Sequence, residues 1–133
     1  MIAVADDADE VRALLVEALH VEGYDVIEAR DGRGLLELLQ CEPDAIITDF
    51  DMPELNGIEA LREIRCRTSS PVIFITGLSL LDVSPEALAL GAVAVLPKPF
   101  ELEALWRLLP ASRKNQIAAS TLSSSARSIG LSR

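Results

Sequence analysis

Residues 45–57 read AIITDFDMPELNG, and this stretch combines a buried-strand composition with an acidic motif. Its first four residues are apolar or β-branched, which is typical of strands. Asp49 and Asp51 follow within three residues of that run. The stretch therefore predicts a strand whose carboxyl end carries charged side chains.

Four further short runs share this composition, and all five are too short for a globular helix. The predicted strands are residues 2–5, 24–27, 45–48, 72–75 and 92–96. Asp6, Glu28, Asp49 and Thr76 directly follow the first four runs, and Lys98 lies two positions after the fifth. These five residues are spaced 22, 21, 27 and 22 positions apart, which leaves room for helical crossovers between parallel strands. Runs that are apolar throughout predict strands covered by helices on both faces.

The segments between the runs carry the helical period. Apolar residues at positions 11, 14, 15, 18 and 19 predict a first amphipathic helix, with Asp9 as its N-cap and Gly23 just beyond its end. Positions 58, 61 and 64 predict another helix, which Asn56 opens with Glu59 three residues on.

Three more helices complete the pattern. Leucines at positions 35, 36, 38 and 39 predict one of them. Ser84 and Pro85 are predicted as the N-cap and first residue of a helix that ends at Gly91, and residues 101–109 form the last one before Pro110. The sequence thus predicts a doubly wound α/β domain of five strand and helix units with right-handed crossovers.

This architecture predicts the place of a site. Ligands of open α/β sheets bind outside the carboxyl ends of the strands, where Asp6, Asp7, Asp49, Thr76 and Lys98 are expected. Three carboxylates and one ammonium leave a net charge of −2, which a divalent hard cation such as Mg²⁺ would neutralise. With the Thr76 hydroxyl and the Lys98 cation beside Asp49, the set fits a phosphoryl group carried by that carboxylate.

Charge divides the chain into two parts. Residues 1–109 hold 8 Lys and Arg against 21 Asp and Glu, whereas residues 110–133 hold four basic and no acidic residues. This predicts a domain at 1–109 and a basic, serine-rich tail or linker at 110–133. A solvated tail is the favoured interpretation, with a nucleic-acid or membrane arm or a short docking helix as alternatives. The acidic domain disfavours direct binding of nucleic acid.

Other features narrow the class of protein. The longest stretch without charged or strongly polar side chains, residues 87–97, is well short of the ~18 residues that a membrane span needs. Acidic residues near Met1, where a secretory signal would be basic, predict a cytoplasmic protein without membrane association. Cys41 and Cys66 predict reduced thiols rather than a disulfide framework or a zinc cluster.

Four motifs, in this order, resemble the receiver domain of two-component response regulators over about residues 1–109. They are Asp6-Asp7, the segment DFDMPELNG at 49–57, Thr76-Gly77 and Lys98-Pro99-Phe100. The resemblance implies a flavodoxin-like three-layer sandwich with strand order 2-1-3-4-5. It also implies a cis peptide bond before Pro99.

The resemblance further implies a role for each motif. Asp49, three residues before Met-Pro and eight before Gly57, is the expected phosphoacceptor. The implied Mg²⁺ ligands are Asp7, Asp49 and the backbone carbonyl of Asp51, with Asp6 assisting through water. Thr76 and Lys98 are expected to contact the phosphoryl oxygens.

Two positions depart from the family pattern. Many receivers carry Tyr or Phe three residues before the lysine, but this chain has Val95, so the aromatic half of the usual switch is absent. Thr76 is still expected to move toward the phosphoryl group. Asp51 adds a carboxylate beside the acceptor, and its side chain is expected to be solvated.

The predicted partners are a histidine kinase or histidine phosphotransfer protein and a downstream protein, with no direct nucleic-acid ligand. The expected state is a monomer or a weak homodimer through the fourth and fifth helices. The domain is not expected to be an enzyme beyond accepting and hydrolysing its own aspartyl phosphate.

Two alternatives come from other classes of protein. Asp49-Phe50-Asp51 superficially resembles the Asp-x-Asp motif of haloacid-dehalogenase-type phosphatases, but a strand and another acidic pair precede it. The second alternative is a receiver-like interaction module that signals without phosphorylation, for which Val95 is the hint.

Overall fold

The computed structural model describes residues 1–53, 55–77 and 80–112, with backbone only for residues 80–83. Five strands alternate with five helices, and a short 3-10 helix, Leu39–Cys41, follows the second of these. The strands are β1 Ile2–Ala5, β2 Val26–Ala29, β3 Ala45–Asp49, β4 Val72–Thr76 and β5 Ala94–Pro97. The helices are α1 Asp9–Val21, α2 Gly32–Leu38, α3 Gly57–Arg67, α4 Leu80–Ala89 and α5 Leu102–Leu108.

The strands form one parallel sheet in the order β2-β1-β3-β4-β5, which confirms the predicted fold and strand order. Its register aligns the carboxyl ends, because Ala5 lies opposite Thr48 and Asp49 lies opposite Ile75. The residues that follow β1 and β3 therefore leave the sheet side by side.

Side chains from the strands alternate between two apolar layers. Ala3, Ala5 and Ile46 point into the layer that α2 and α3 cover, whereas Ile2 and Val4 point into the layer against α1 and α5. Each fully buried Ile or Leu contributes about 1.5–3 kcal/mol of burial free energy relative to an exposed one. The two layers together hold the sheet between its helices.

Burial separates the central strands from the edge strands. Every residue of β1, β3 and β4 is buried, as the uniform apolar runs predict. The edge strands β2 and β5 are only partly buried, so the prediction of full cover is wrong for them. Both edge strands also begin two residues later than predicted, at Val26 and Ala94.

Contacts explain those later starts. Tyr24 precedes β2 because its N–H donates to the carbonyl of Leu19 and closes the end of α1. Its ring stacks on Trp106 with centroids 6.2 Å apart. Ala92 precedes β5 because its N–H donates to the carbonyl of Ala87 and closes the end of α4. Gly91 makes the turn at that end with φ of 102°, a conformation that favours glycine.

Two predicted helix starts are wrong. The N-cap of α1 is Ala8, and Asp9 is the first helical residue, where its carboxylate pairs with Arg12. Helix α4 begins at Leu80, so Pro85 lies inside it. Proline has no N–H, so the carbonyl of Leu81 receives no helical hydrogen bond from it. The start of α3 follows the prediction, since the Asn56 side chain accepts from the Glu59 N–H.

The amino edge of the sheet also holds the end of the described chain. The Tyr24 hydroxyl donates to the Pro110 carbonyl at 2.6 Å, and Ser112 is buried. Residues 113–133, which hold most of the predicted tail, lie outside the described residues. Cys41 and Cys66 are exposed free thiols, as predicted. Every helix in the described ranges is too short or too polar to cross a membrane.

Candidate functional site

Asp6 extends β1 by one residue and is almost completely buried, with 1% of its surface exposed. Its Oδ1 accepts a hydrogen bond from the Ala8 N–H at 2.9 Å, which closes a local turn. Its Oδ2 accepts from the Lys98 ammonium at 3.2 Å. Both carboxylate oxygens are therefore fixed, and the turn leads the chain directly into Asp7.

Asp49 ends β3 and is only 6% exposed. Its Oδ1 accepts from the Asp51 N–H at 3.1 Å, and its Oδ2 accepts from the Lys98 ammonium at 3.1 Å. Burial raises the pKa of the Asp49 carboxyl, and the nearby Asp6 charge acts in the same direction. The Asp51 N–H and Lys98 oppose that rise but do not cancel it. The structure thus holds an aspartate whose negative charge is only partly compensated.

Lys98 reaches this cluster from the end of β5. Its backbone N–H donates to the Thr76 carbonyl at 2.8 Å, which ties it to the end of β4. The peptide bond between Lys98 and Pro99 is cis, as predicted. Burial alone would lower the pKa of Lys98, but its hydrogen bond to Asp49 and the charges of Asp49 and Asp6 outweigh that effect and raise the pKa. The Lys98 side chain therefore remains positively charged between the two carboxylates.

Three carboxylates meet at this edge. Asp6, Asp7 and Asp49 each offer an oxygen, and these oxygens lie within 4.8 Å of one another. Within the described residues, the Lys98 ammonium is the lysine cation at this cluster, and it bridges Asp6 and Asp49. Oxygen-only donors with excess negative charge are the ligands that Mg²⁺ prefers, and an exposed Asp7 leaves the site open to water. The residues present therefore fit a hydrated divalent cation.

The loop after β3 is fixed by contacts with the start of α3. The Gly57 N–H donates to the Phe50 carbonyl at 2.8 Å, and Asp51 pairs with Asn56 in an isolated bridge. A Cβ at Gly57 would overlap the Phe50 ring, so only glycine lets α3 approach this closely. The Asp51 side chain is exposed, in agreement with the solvated carboxylate that the sequence predicts.

The two switch positions lie on β4 and β5. Thr76 is fully buried at the end of β4, opposite Pro97. Val95 is half-buried opposite Phe74 and packs against the apolar layer under α2 and α3. The structure thus brings Thr76 to the same edge as Asp49 and Lys98, while Val95 lies two residues back from the end of β5.

Arg12 also contacts this site, and the sequence pattern did not predict that contact. Its Nη1 donates to the backbone carbonyl of Asp6 at 2.7 Å. The residue follows Val11 on the inner side of α1, so its position indicated partial burial. Nothing in the pattern indicated which carbonyl it would reach.

Comparisons with known proteins agree with this geometry. The sequence profile of the response regulator receiver domain matches residues 2–109. Regulatory protein AtoC of Escherichia coli is 39% identical over 106 residues, which cover 78% of this chain and 23% of that protein. Transcriptional regulatory protein PdtaR of Mycobacterium tuberculosis is 37% identical over 106 residues, covering 78% of this chain and 52% of that protein. The chain thus spans about half or less of these relatives.

Solved structures agree as well. Chemotaxis protein CheY4 of Vibrio cholerae has a TM-score of 0.74 and 31% identity, covering 81% of this chain and 97% of that one. The receiver domain of NtrX from Brucella abortus has a TM-score of 0.75 and 27% identity, covering 81% and 93%. The parallel sheet, the acidic edge and these matches lead to one conclusion: the chain belongs to the response regulator receiver domain family.

Proposed function

We propose that Asp49 accepts a phosphoryl group from a histidine kinase or a histidine phosphotransfer protein in a Mg²⁺-dependent reaction. The observation that carries this proposal is the single Lys98 ammonium lying between two buried carboxylates, 3.1 Å from Asp49 and 3.2 Å from Asp6. An excess of buried negative charge is costly, and it is retained where a cation or a phosphoryl group uses it.

Asp49 acts as the nucleophile. One of its oxygens forms a bond to phosphorus while the bond from phosphorus to the donor's imidazole nitrogen breaks, and that nitrogen takes a proton from water. The transfer requires positioning and charge stabilisation rather than further covalent chemistry. The Asp51 N–H, 3.1 Å from Asp49 Oδ1, fixes the direction of the carboxylate.

The metal ligands in this proposal are Asp7, Asp49 and the backbone carbonyl of Asp51, with Asp6 acting through water. Bound Mg²⁺ would neutralise charge on the phosphoryl oxygens. Lys98 supplies the second positive charge. On phosphorylation, its ammonium leaves one of its two carboxylate partners and binds a phosphoryl oxygen instead. The Thr76 hydroxyl donates to another phosphoryl oxygen.

Signalling follows from the change in charge. An acyl phosphate carries more negative charge than a carboxylate, so phosphorylation shifts a two-state arrangement of the loops around Thr76. Val95 has no aromatic ring to move inward, so Thr76 is the main switch residue in this proposal. The activated domain then remains a monomer or forms a weak homodimer through α4 and α5, and it binds a downstream protein.

The family is a signalling domain rather than a classical enzyme. In the proposal, water hydrolyses the aspartyl phosphate, which resets the domain. We expect the reaction in the cytoplasm, where a kinase finds ATP. We also propose that residues 1–109 form the receiver domain and residues 110–133 a basic tail or linker.

Intact mass after incubation with Mg²⁺ and acetyl phosphate or phosphoramidate tests the proposal. The wild type should gain the mass of one phosphoryl group, and Asp49→Asn should gain none. Asp51→Asn is the matched control, because it removes a carboxylate from the same motif and should still be labelled.

Three results would contradict the proposal. Label retained on Asp49→Asn would mean another acceptor. An unlabelled but folded wild type that binds Mg²⁺ would favour the phosphorylation-independent interaction module. Sustained turnover of a phosphomonoester over many cycles would favour a phosphatase.

A further inference from the structure

We propose that Arg12 is a positioning residue for the site, which holds the turn that carries Asp6 and Asp7 in the geometry needed for Mg²⁺. The inference rests on the proposed function, because it assigns Arg12 a part in building that metal site. Arg12 touches neither Asp7 nor Asp49 in the described contacts, so its effect passes through the backbone of Asp6.

The guanidinium of Arg12 joins three elements. Nη1 donates to the Asp6 carbonyl at 2.7 Å, Nη2 donates to Asp9 Oδ1 at 2.7 Å, and Nε donates to Glu28 Oε1 at 3.0 Å. Asp6 follows β1, Glu28 belongs to β2, and Asp9 begins α1. One side chain therefore connects the end of β1 to the neighbouring strand β2 and to the following helix α1.

The Asp6 carbonyl belongs to the peptide unit that links Asp6 to Asp7. That unit is planar, so a hydrogen bond to its oxygen fixes the orientation of the whole plane and the direction in which Asp7 leaves it. The Asp6 N–H is held as well, because it donates to the Ala29 carbonyl at 3.2 Å. With its carboxylate bound by Ala8 and Lys98, Asp6 is held at each of its polar groups.

The charge of Arg12 is used locally. Asp9 and Glu28 face it with two carboxylates, and hydrogen bonds to these partners raise the pKa of the guanidinium. The carboxylates of Asp9 and Glu28 therefore compensate the positive charge of Arg12. Lys98, in contrast, contacts the carboxylates of the cluster directly. The role of Arg12 is therefore to position the backbone of Asp6 rather than to neutralise the cluster.

Arginine suits this task better than lysine. Its planar fork makes three contacts in fixed directions, whereas an ammonium on a flexible stem cannot reproduce that geometry. The Arg12 side chain is 14% exposed, while its partners Asp9 and Glu28 are 81% and 51% exposed. The arginine is thus the least exposed member of the group.

The test measures Mg²⁺ affinity by isothermal titration calorimetry and stability by urea unfolding without Mg²⁺, for the full chain and three variants. Arg12→Ala should bind Mg²⁺ about tenfold more weakly, as when residues that orient metal ligands are removed. Arg12→Lys should recover part of that loss. Glu28→Gln removes one ion pair of Arg12 but leaves the contact to Asp6, so it should bind Mg²⁺ as the wild type does.

The outcomes separate this inference from the proposed function. Wild type that binds no Mg²⁺ would contradict both. Wild type that binds Mg²⁺, with Arg12→Ala binding equally well, would overturn only the role of Arg12. A Glu28→Gln variant weakened as much as Arg12→Ala would also overturn it, because the ion pair rather than the Asp6 carbonyl would then matter. If Arg12→Ala unfolds, full Mg²⁺ affinity in Arg12→Gln, which lacks the cation and the fork, would be the contradicting result.

Discussion

The amino and carboxyl edges of the sheet differ in how their polar side chains are paired. At the amino edge, the Tyr24 hydroxyl is paired with the Pro110 carbonyl at 2.6 Å, and the Ser70 hydroxyl with the Pro43 carbonyl at 2.6 Å. At the carboxyl edge, three carboxylates lie together, and the Lys98 ammonium bridges two of them. These two hydroxyls of the amino edge are satisfied within the chain, whereas the carboxyl edge carries an excess of negative charge that fits a cationic ligand. We therefore expect substitutions at the amino edge to affect mainly stability and substitutions at the carboxyl edge to affect mainly the proposed function.

The largest effect on stability is expected at the amino edge. Tyr24→Ala removes both the ring that stacks on Trp106 and the hydroxyl bound to Pro110, and it should cost about 3 kcal/mol in the free energy of unfolding. Urea unfolding measures the loss. Labelling by acetyl phosphate should stay unchanged while the variant is folded, and a loss of labelling would mean that the edges are coupled.

A smaller loss of stability is expected where α3 approaches the acceptor loop. Gly57→Ala forces the Phe50 ring to move, and such overpacking costs about 1–3 kcal/mol. Gly77→Ala is the matched control at the same edge, because a Cβ there meets no atom within 4 Å. Equal unfolding curves for the two variants would contradict the tight packing at Gly57.

Removal of charge from the site should raise stability without Mg²⁺. Asp49→Asn relieves the burial of a partly compensated carboxylate, so we expect a gain of about 1 kcal/mol in the free energy of unfolding. Glu63→Gln is the control, because it breaks the exposed pair with Arg67 and should change stability by less than about 0.5 kcal/mol. A marked loss of stability in Asp49→Asn would contradict the division between the two edges.

The smallest effect concerns alkaline pH. Burial raises the pKa of the Tyr24 hydroxyl in the folded protein, with a further contribution from the Glu22 charge. A raised folded pKa means that this stability is present below the unfolded value of about 10 and is lost as the pH rises through the folded value. As the pH rises above about 10, the melting temperature of the wild type should therefore fall more steeply than the melting temperature of Tyr24→Phe. Parallel curves would contradict the pKa shift.

The sequence predicted what regular spacing and composition determine. The buried apolar runs predicted the parallel sheet and its central strands. The acidic residues at the strand ends predicted that Asp6 and Asp49 lie close together. The start of α4 was misplaced because Ser84-Pro85 is a strong local signal that the surrounding structure overrides. Arg12 was missed because a hydrogen bond to one carbonyl depends on tertiary geometry, which leaves no periodic trace.

The most direct test of the central claim locates the phosphoryl group in the chain. After labelling with acetyl phosphate and Mg²⁺, borohydride reduces an acyl phosphate to the alcohol, and tandem mass spectrometry of the peptides identifies the reduced position. The proposed function predicts reduction at Asp49 alone, dependent on Mg²⁺, with Asp51 unchanged. Reduction at Asp51, at Asp6 or at any other carboxylate, with Asp49 intact, would contradict it.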